Sequence, residues 1–138
     1  MTVICPRCHF YGNKFSPEKA EKLTGLILDA KNEVGDIGKL GRYKGQPIPY
    51  GSASLSPSKK KIKSGLVEMW LLKNIKNNLT LMRSCGADKI WLDYGVFYDE
   101  QCNFEFSKEA LLLIGSLNID LLISCYQDRE TIHGYSEL

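Results

Sequence analysis

The apolar pattern changes period once in the middle of the chain, and that change limits the fold more than any other feature. From about Gly65 to Ser84, the apolar positions Leu72, Ile75, Leu79 and Met82 step by 3, 4 and 3. Leu66, Met69 and Trp70 extend the same broad side. This is the spacing of a helix with one packed stripe. Gly86 ends it, since glycine tolerates the left-handed turn that closes a helix. From Lys89 to Tyr98 the period falls to two. Ile90, Leu92, Tyr94, Val96 and Tyr98 face one way, and Trp91, Asp93, Gly95 and Phe97 the other. A half-buried strand reads this way. A helix feeding a strand of this kind implies a sheet with helices packed on it.

The flanking segments extend that scheme. Residues 2–11 are rich in β-branched and aromatic side chains and form a first strand, with Pro6 placing it at an edge or a bulge. Ser16-Pro17-Glu18 opens a helix: serine caps free N–H groups, proline fits the first turn, and glutamate suits the positive dipole end. Ala20 and Leu23 share its face, and Gly25 stops it. Leu26 to Leu28 begins a short strand, and Ser52 to Leu55 another. Between them, Val34 to Gly51 holds Gly35, Gly38, Gly41, Gly45, Gly51, Pro47 and Pro49, a long irregular loop. Ser107 caps a third helix over 108–116, with Leu111, Leu112 and Ile114 on its buried side. Ile119 to Tyr126 is a last strand, apolar enough for a central position. The expected architecture is α+β or α/β: a single-domain sandwich over 1–126, about three helices on a mixed sheet of four to five strands. A polar tail follows over 127–138.

At 138 residues, with 43% hydrophobic and 25% charged side chains, the chain can bury a core without disulfides or a metal. A disordered chain, a collagen-like repeat and a disulfide-dense miniprotein are excluded. No apolar run reaches membrane-spanning length. The N-terminus lacks a basic start and a long apolar run, so a cytoplasmic protein is expected. The net charge is only +2 but uneven. Residues 1–65 carry twelve Lys/Arg against five Asp/Glu, and residues 66–138 six against eleven. Such asymmetry suits steering of a charged partner. Lysine outnumbers arginine fourteen to four, which disfavours a dedicated phosphate or base reader.

Cys5-Pro6-Arg7-Cys8-His9 is the loudest motif. It matches the haem-attachment pattern C-x-x-C-H, which requires export. It also matches half a zinc site, with Cys5, Cys8 and His9 as weak metal candidates. Its missing ligands would come from the scattered Cys85, Cys102, Cys125 and His133. A redox pair needs a helix opening directly after the motif, and here the helix waits until Ser16. The plain alternative is two small side chains in a strand, with no cofactor.

The glycine stretch matches neither phosphate-loop fingerprint. Arg42, Tyr43 and Lys44 at its centre suit contact with a protein partner. The basic run Lys59 to Lys63 suits phosphates or a solvated helix start. Asp93, Tyr94, Tyr98, Asp99, Glu100 and Glu105 form an acidic and aromatic cluster, whose tyrosines favour protein contact over catalysis. With two histidines and no nucleophile elbow, an enzyme is not expected.

Three stretches together resemble a known family. They are Phe10 to Glu18 running on to Leu23-Thr24-Gly25-Leu26, Gly35-Asp36, and Phe106-Ser107-Lys108-Glu109 with Leu117 to Tyr126. They are similar to a family of small bacterial α+β domains of unknown function. Similar members are suspected immunity proteins, which bind and block one toxin. The resemblance implies that Cys5 and Cys8 lie in strand one. It also implies a non-enzymatic protein that occludes a toxin's active site. Arg42, Tyr43 and Lys44, or Asp93, Tyr98, Asp99 and Glu100, would make the contact. The competing expectation is a zinc-stabilised nucleic-acid-binding module using Cys5, Cys8 and Lys59 to Lys63.

Overall fold

The computed structural model describes residues 2–57 and 67–128. In chain order the elements are β1 (Thr2–Gly12), α1 (Pro17–Thr24), β2 (Asp29–Asn32), a 3-10 turn (Gly41–Tyr43) and β3 (Gly51–Leu55). Then come α2 (Val67–Ser84), β4 (Lys89–Tyr98), α3 (Lys108–Leu117) and β5 (Asp120–Gln127). The strands form one sheet in the order β2-β3-β1-β4-β5. β2 runs antiparallel to β3 and β5 runs parallel to β4, so the sheet is mixed. The fold is α+β: among the described residues, three helices pack on five strands. No described helix is long and apolar enough to cross a membrane.

The helix signals act as read. The Ser16 side chain accepts from Lys19 N, Pro17 begins α1, and Gly25 closes it at φ 74°. Ser107 accepts from Ala110 N at 3.0 Å, and Asn118 ends α3 in the left-handed region. The α2 stripe Leu72, Ile75, Leu79 and Met82 is buried throughout. In β4 the even positions Ile90 to Val96 are buried and the odd ones half-buried, as the two-residue period requires.

The chain packs as two units. One contains β1 as far as Cys8, α2 as far as Lys76, β4 from Trp91, α3 and β5. Its core is formed by Cys8, Leu71, Leu72, Leu92, Tyr94 and Val96, all fully enclosed. Burying a side chain of leucine size contributes about 2 kcal/mol. The Tyr94 ring meets Phe106 at 5.4 Å. The Tyr94 hydroxyl is enclosed without a hydrogen bond of standard geometry, and the Glu68 carboxyl is its charged neighbour.

The other unit contains β1 from His9, α1, β2, the glycine loop, β3, α2 from Asn77, and Ile90. Its core is built on Phe10, Phe15, Ala20, Leu55 and Met82. The chain after β1 is tied to the end of α2, with Ser16 N donating to Cys85 O and Asp88 N to Tyr11 O, each at 3.1 Å. Gly86 serves this junction. Its φ is 100°, and a Cβ there would lie 2.3 Å from the Lys14 carbonyl oxygen.

Four expectations are corrected. The second strand is Asp29–Asn32 rather than Leu26 to Leu28. Thr24 Oγ1 accepts from Leu26 N and Glu21 Oε2 from Leu28 N, so side chains of α1 claim those amides before a strand can. In α3, Leu111 and Leu112 are 54% and 76% exposed, and Ala110 and Leu117 are buried instead. The helix turns 100° per residue, so a buried stripe through Ala110 and Leu117 carries Leu111 and Leu112 off the core. The last strand is an edge strand, with Leu121 to Ile123 exposed. Gln127, placed in the tail by its polarity, pairs with Tyr98 as the end of β5. Residues 129–138 lie outside the described residues.

Candidate functional site

The glycine stretch is a built structure. Its two limbs are laced by backbone bonds. Gly35 N donates to Ile48 O (2.7 Å), Ile48 N to Asp36 O (2.8 Å), Gly38 N to Gln46 O (2.9 Å) and Gly45 N to Gly38 O (2.8 Å). Gly38 is required by close approach, because a Cβ there would lie 2.3 Å from the Tyr43 carbonyl oxygen. Gly41 and Gly45 turn the chain at φ 71° and 75°. Such turns cost an L side chain 1–2 kcal/mol or so, which is why glycine fills them.

This frame holds Arg42, Tyr43 and Lys44 together. The Arg42 guanidinium sits 5.5 Å from the Tyr43 ring centroid. Tyr43 meets Tyr50 edge-on at 5.9 Å, and Tyr50 meets Tyr11 at 4.6 Å. The aromatic chain therefore anchors the turn to β1. Around it, Val34, Ile37 and Leu40 are exposed by 47%, 59% and 85%. An ordered loop that holds apolar side chains in water beside Lys39, Arg42 and Lys44 is suited to binding. Its shape is prepaid, so little ordering entropy remains to be lost on contact. The three apolar residues were missed in the sequence. Their signal was apolar side chains at a spacing of three inside a Gly/Pro loop, where no core face explains them.

The acidic residues separate. Asp93 lies on the half-buried face of β4, whereas Tyr98 has the opposite parity. Asp93 and Asp99 are six residues apart along an extended chain, roughly 20 Å. Asp99 closes its own turn, with its Oδ1 accepting from Glu100 N at 2.8 Å. Tyr98, Asp99 and Glu100 thus mark the end of β4, without Asp93. This group and the Arg42 group belong to different packing units.

Cys5 and Cys8 lie in β1, three residues apart on one continuous strand. Odd spacing sends their side chains to opposite faces, so the pair does not present two thiolates to one ion. Cys8 is fully enclosed, and burial pushes its thiol far above the usual range. His9 follows on the face opposite Cys8. Among the described residues no group of three or more His, Cys, Asp or Glu is placed to hold a metal. The basic run Lys59 to Lys63 and His133 lie outside the described residues.

Two further features had no sequence signal. Asn13, Lys14, Arg83, Gly86 and Asp88 line an open surface hollow of about 410 Å³. In the other unit, burial raises the Glu68 carboxyl above its usual range, and Tyr94 is raised by burial and by Glu68. Comparison with family models, curated proteins and solved structures gives no match.

Proposed function

We propose that this chain is a non-enzymatic protein-binding protein that acts by occlusion, and that the partner is a toxin whose active site it covers. The glycine loop is the contact surface. One observation carries the reading: Ile37 and Leu40 stand exposed on a loop whose backbone is already hydrogen-bonded. Isolated exposed apolar residues are ordinary, but several on one rigid, basic projection mark a contact patch. Arg42 and Tyr43 supply the residue types that dominate binding energy at interfaces. The alternative contact group is the Tyr98-Asp99-Glu100 corner. The cytoplasm, where an immunity protein would meet its toxin, is the proposed compartment.

The test begins with the reading frame adjacent to this gene. Its product, expressed with this chain, should co-purify with it and lose its toxicity. In a calorimetric titration of that pair, Leu40→Asp and Arg42→Ala should each weaken binding by at least about tenfold, the effect of a central contact. Glu100→Ala should have a smaller effect. If the pair binds and none of the loop or corner substitutions changes affinity, the assignment of the surface is wrong. If the neighbouring product neither binds nor is neutralised, the toxin reading falls.

A further inference from the structure

None of the five cysteines is in a disulfide, and they differ sharply in access. Cys8 and Cys85 are buried, Cys102 is half-buried and Cys125 is exposed. Cys125 lies in β5, in register with Val96 of β4. Cys102 lies in the segment between β4 and α3. That segment is pinned at both ends. At one end Asp128 N donates to Tyr98 O (3.0 Å) and Gln127 Nε2 to Asp99 O (2.9 Å). At the other, Phe106 rests on Tyr94, and Phe104 meets Phe106 edge-on at 5.8 Å. The segment therefore leaves at the level of Tyr98 and returns at the level of Tyr94. Val96, and with it Cys125, lies midway between. Ile123 and Cys125 share the side of the sheet that carries Tyr94 and Val96, since partners in register point to the same face. The Cys102 and Cys125 thiols are neighbouring groups there.

We propose that Cys102 and Cys125 are a dithiol modification site that reacts with low-molecular-weight disulfides of the glutathione class and closes to an intrachain disulfide. Exposure makes Cys125 the first thiol to react. Its thiolate attacks one sulfur of oxidised glutathione, an S–S bond forms, and one glutathione thiolate leaves. Cys102 then gives its proton to solvent and attacks the Cys125 sulfur, expelling the second glutathione thiolate. The two protein thiols lose two protons and two electrons, and the oxidant becomes two thiols. Partial burial and the neighbouring Cys125 thiol hold the Cys102 thiol above its usual range, which suits a resolving rather than an attacking role. The product would staple the segment after β4 to the edge strand.

The reduced full-length chain is incubated with oxidised glutathione, alkylated, and read by intact mass and peptide mapping. The expected product is about 2 Da lighter before alkylation, has lost two of its five thiols, and carries a Cys102–Cys125 crosslinked peptide. In Cys102→Ser the reaction should stop at a single glutathione adduct on Cys125. In Cys125→Ser the Cys102 adduct should form at least about tenfold more slowly. The proposal is overturned if wild-type protein ends with glutathione still on Cys125 and Cys102 free. It is equally overturned if Cys5 supplies the main disulfide, or if all five thiols survive. The wild-type peptide map decides the matter without either variant.

Discussion

The two edges of the sheet are finished in opposite ways. β2 is four residues long, Asp29-Ala30-Lys31-Asn32, and its register against β3 is irregular. Polar bonds secure it. Lys31 Nζ reaches Glu21 Oε1 at 2.9 Å, Asn32 Nδ2 donates to Tyr50 O at 2.8 Å, and Ser52 Oγ donates to Asn32 Oδ1. Ser16 Oγ donates to Glu33 Oε1 (3.1 Å), which also accepts from Glu18 N. β5 is eight residues long, in unbroken register with β4, and uncharged from Leu121 to Tyr126. Short, charged, irregular edges resist pairing with other chains, and long apolar ones do not. One edge is thus held by several directional side-chain bonds, the other mainly by a backbone ladder, to which Gln127 Nε2 on Asp99 O and the Tyr126 ring on Phe97 are added. The difference predicts where substitutions are felt.

The sharpest contrast lies on a single rung. Tyr94 is fully enclosed and its register partner Ile123 is 40% exposed. Tyr94→Lys should cost more than about 4 kcal/mol and prevent folding, because it buries an unpaired charge. Ile123→Lys should stay within about 1 kcal/mol in urea unfolding. Equal costs for the two would mean that β5 is not an edge. Next in size, Asn32→Ala removes two bonds at the other edge, one from a part-buried amide, and should cost about 2 kcal/mol. Ser16→Ala loses the α1 cap, worth about 1 kcal/mol in the same assay.

The smallest effects differ in sign. Glu21 is held below its usual range by the Leu28 amide and Lys31. Its contribution is present at neutral pH and lost as pH falls through its folded-state value. Glu21→Gln should therefore lower stability at pH 7 by about 0.3 kcal/mol and flatten the acid limb. Glu68 is raised by burial, so its contribution is present below the unfolded-state value and lost as pH rises through the folded one. Glu68→Gln should raise stability at pH 7 by about 0.5 kcal/mol, discounted for the part of the carboxyl still in water. Thermal unfolding of both variants at pH 4 and 7 separates the two cases. Matching shifts would break the comparison.

Much of this chain was legible before folding because its signals are local. Caps at Ser16 and Ser107, stops at Gly25 and Gly86, the α2 stripe and the β4 alternation each need only a few neighbouring residues. The turn that carries Arg42, Tyr43 and Lys44 was legible too, because Gly41 and Gly45 mark it locally. The rest depended on sheet order. The run from Leu121 to Tyr126 has the composition of a central strand, but composition carries no information about which strands flank it. Parity along β1 separates Cys5 from Cys8, while pinning of the 99–106 segment brings Cys102 to Cys125. Short-range sterics and period fixed the elements; long-range pairing decided which side chains meet, and it is these meetings that make a site.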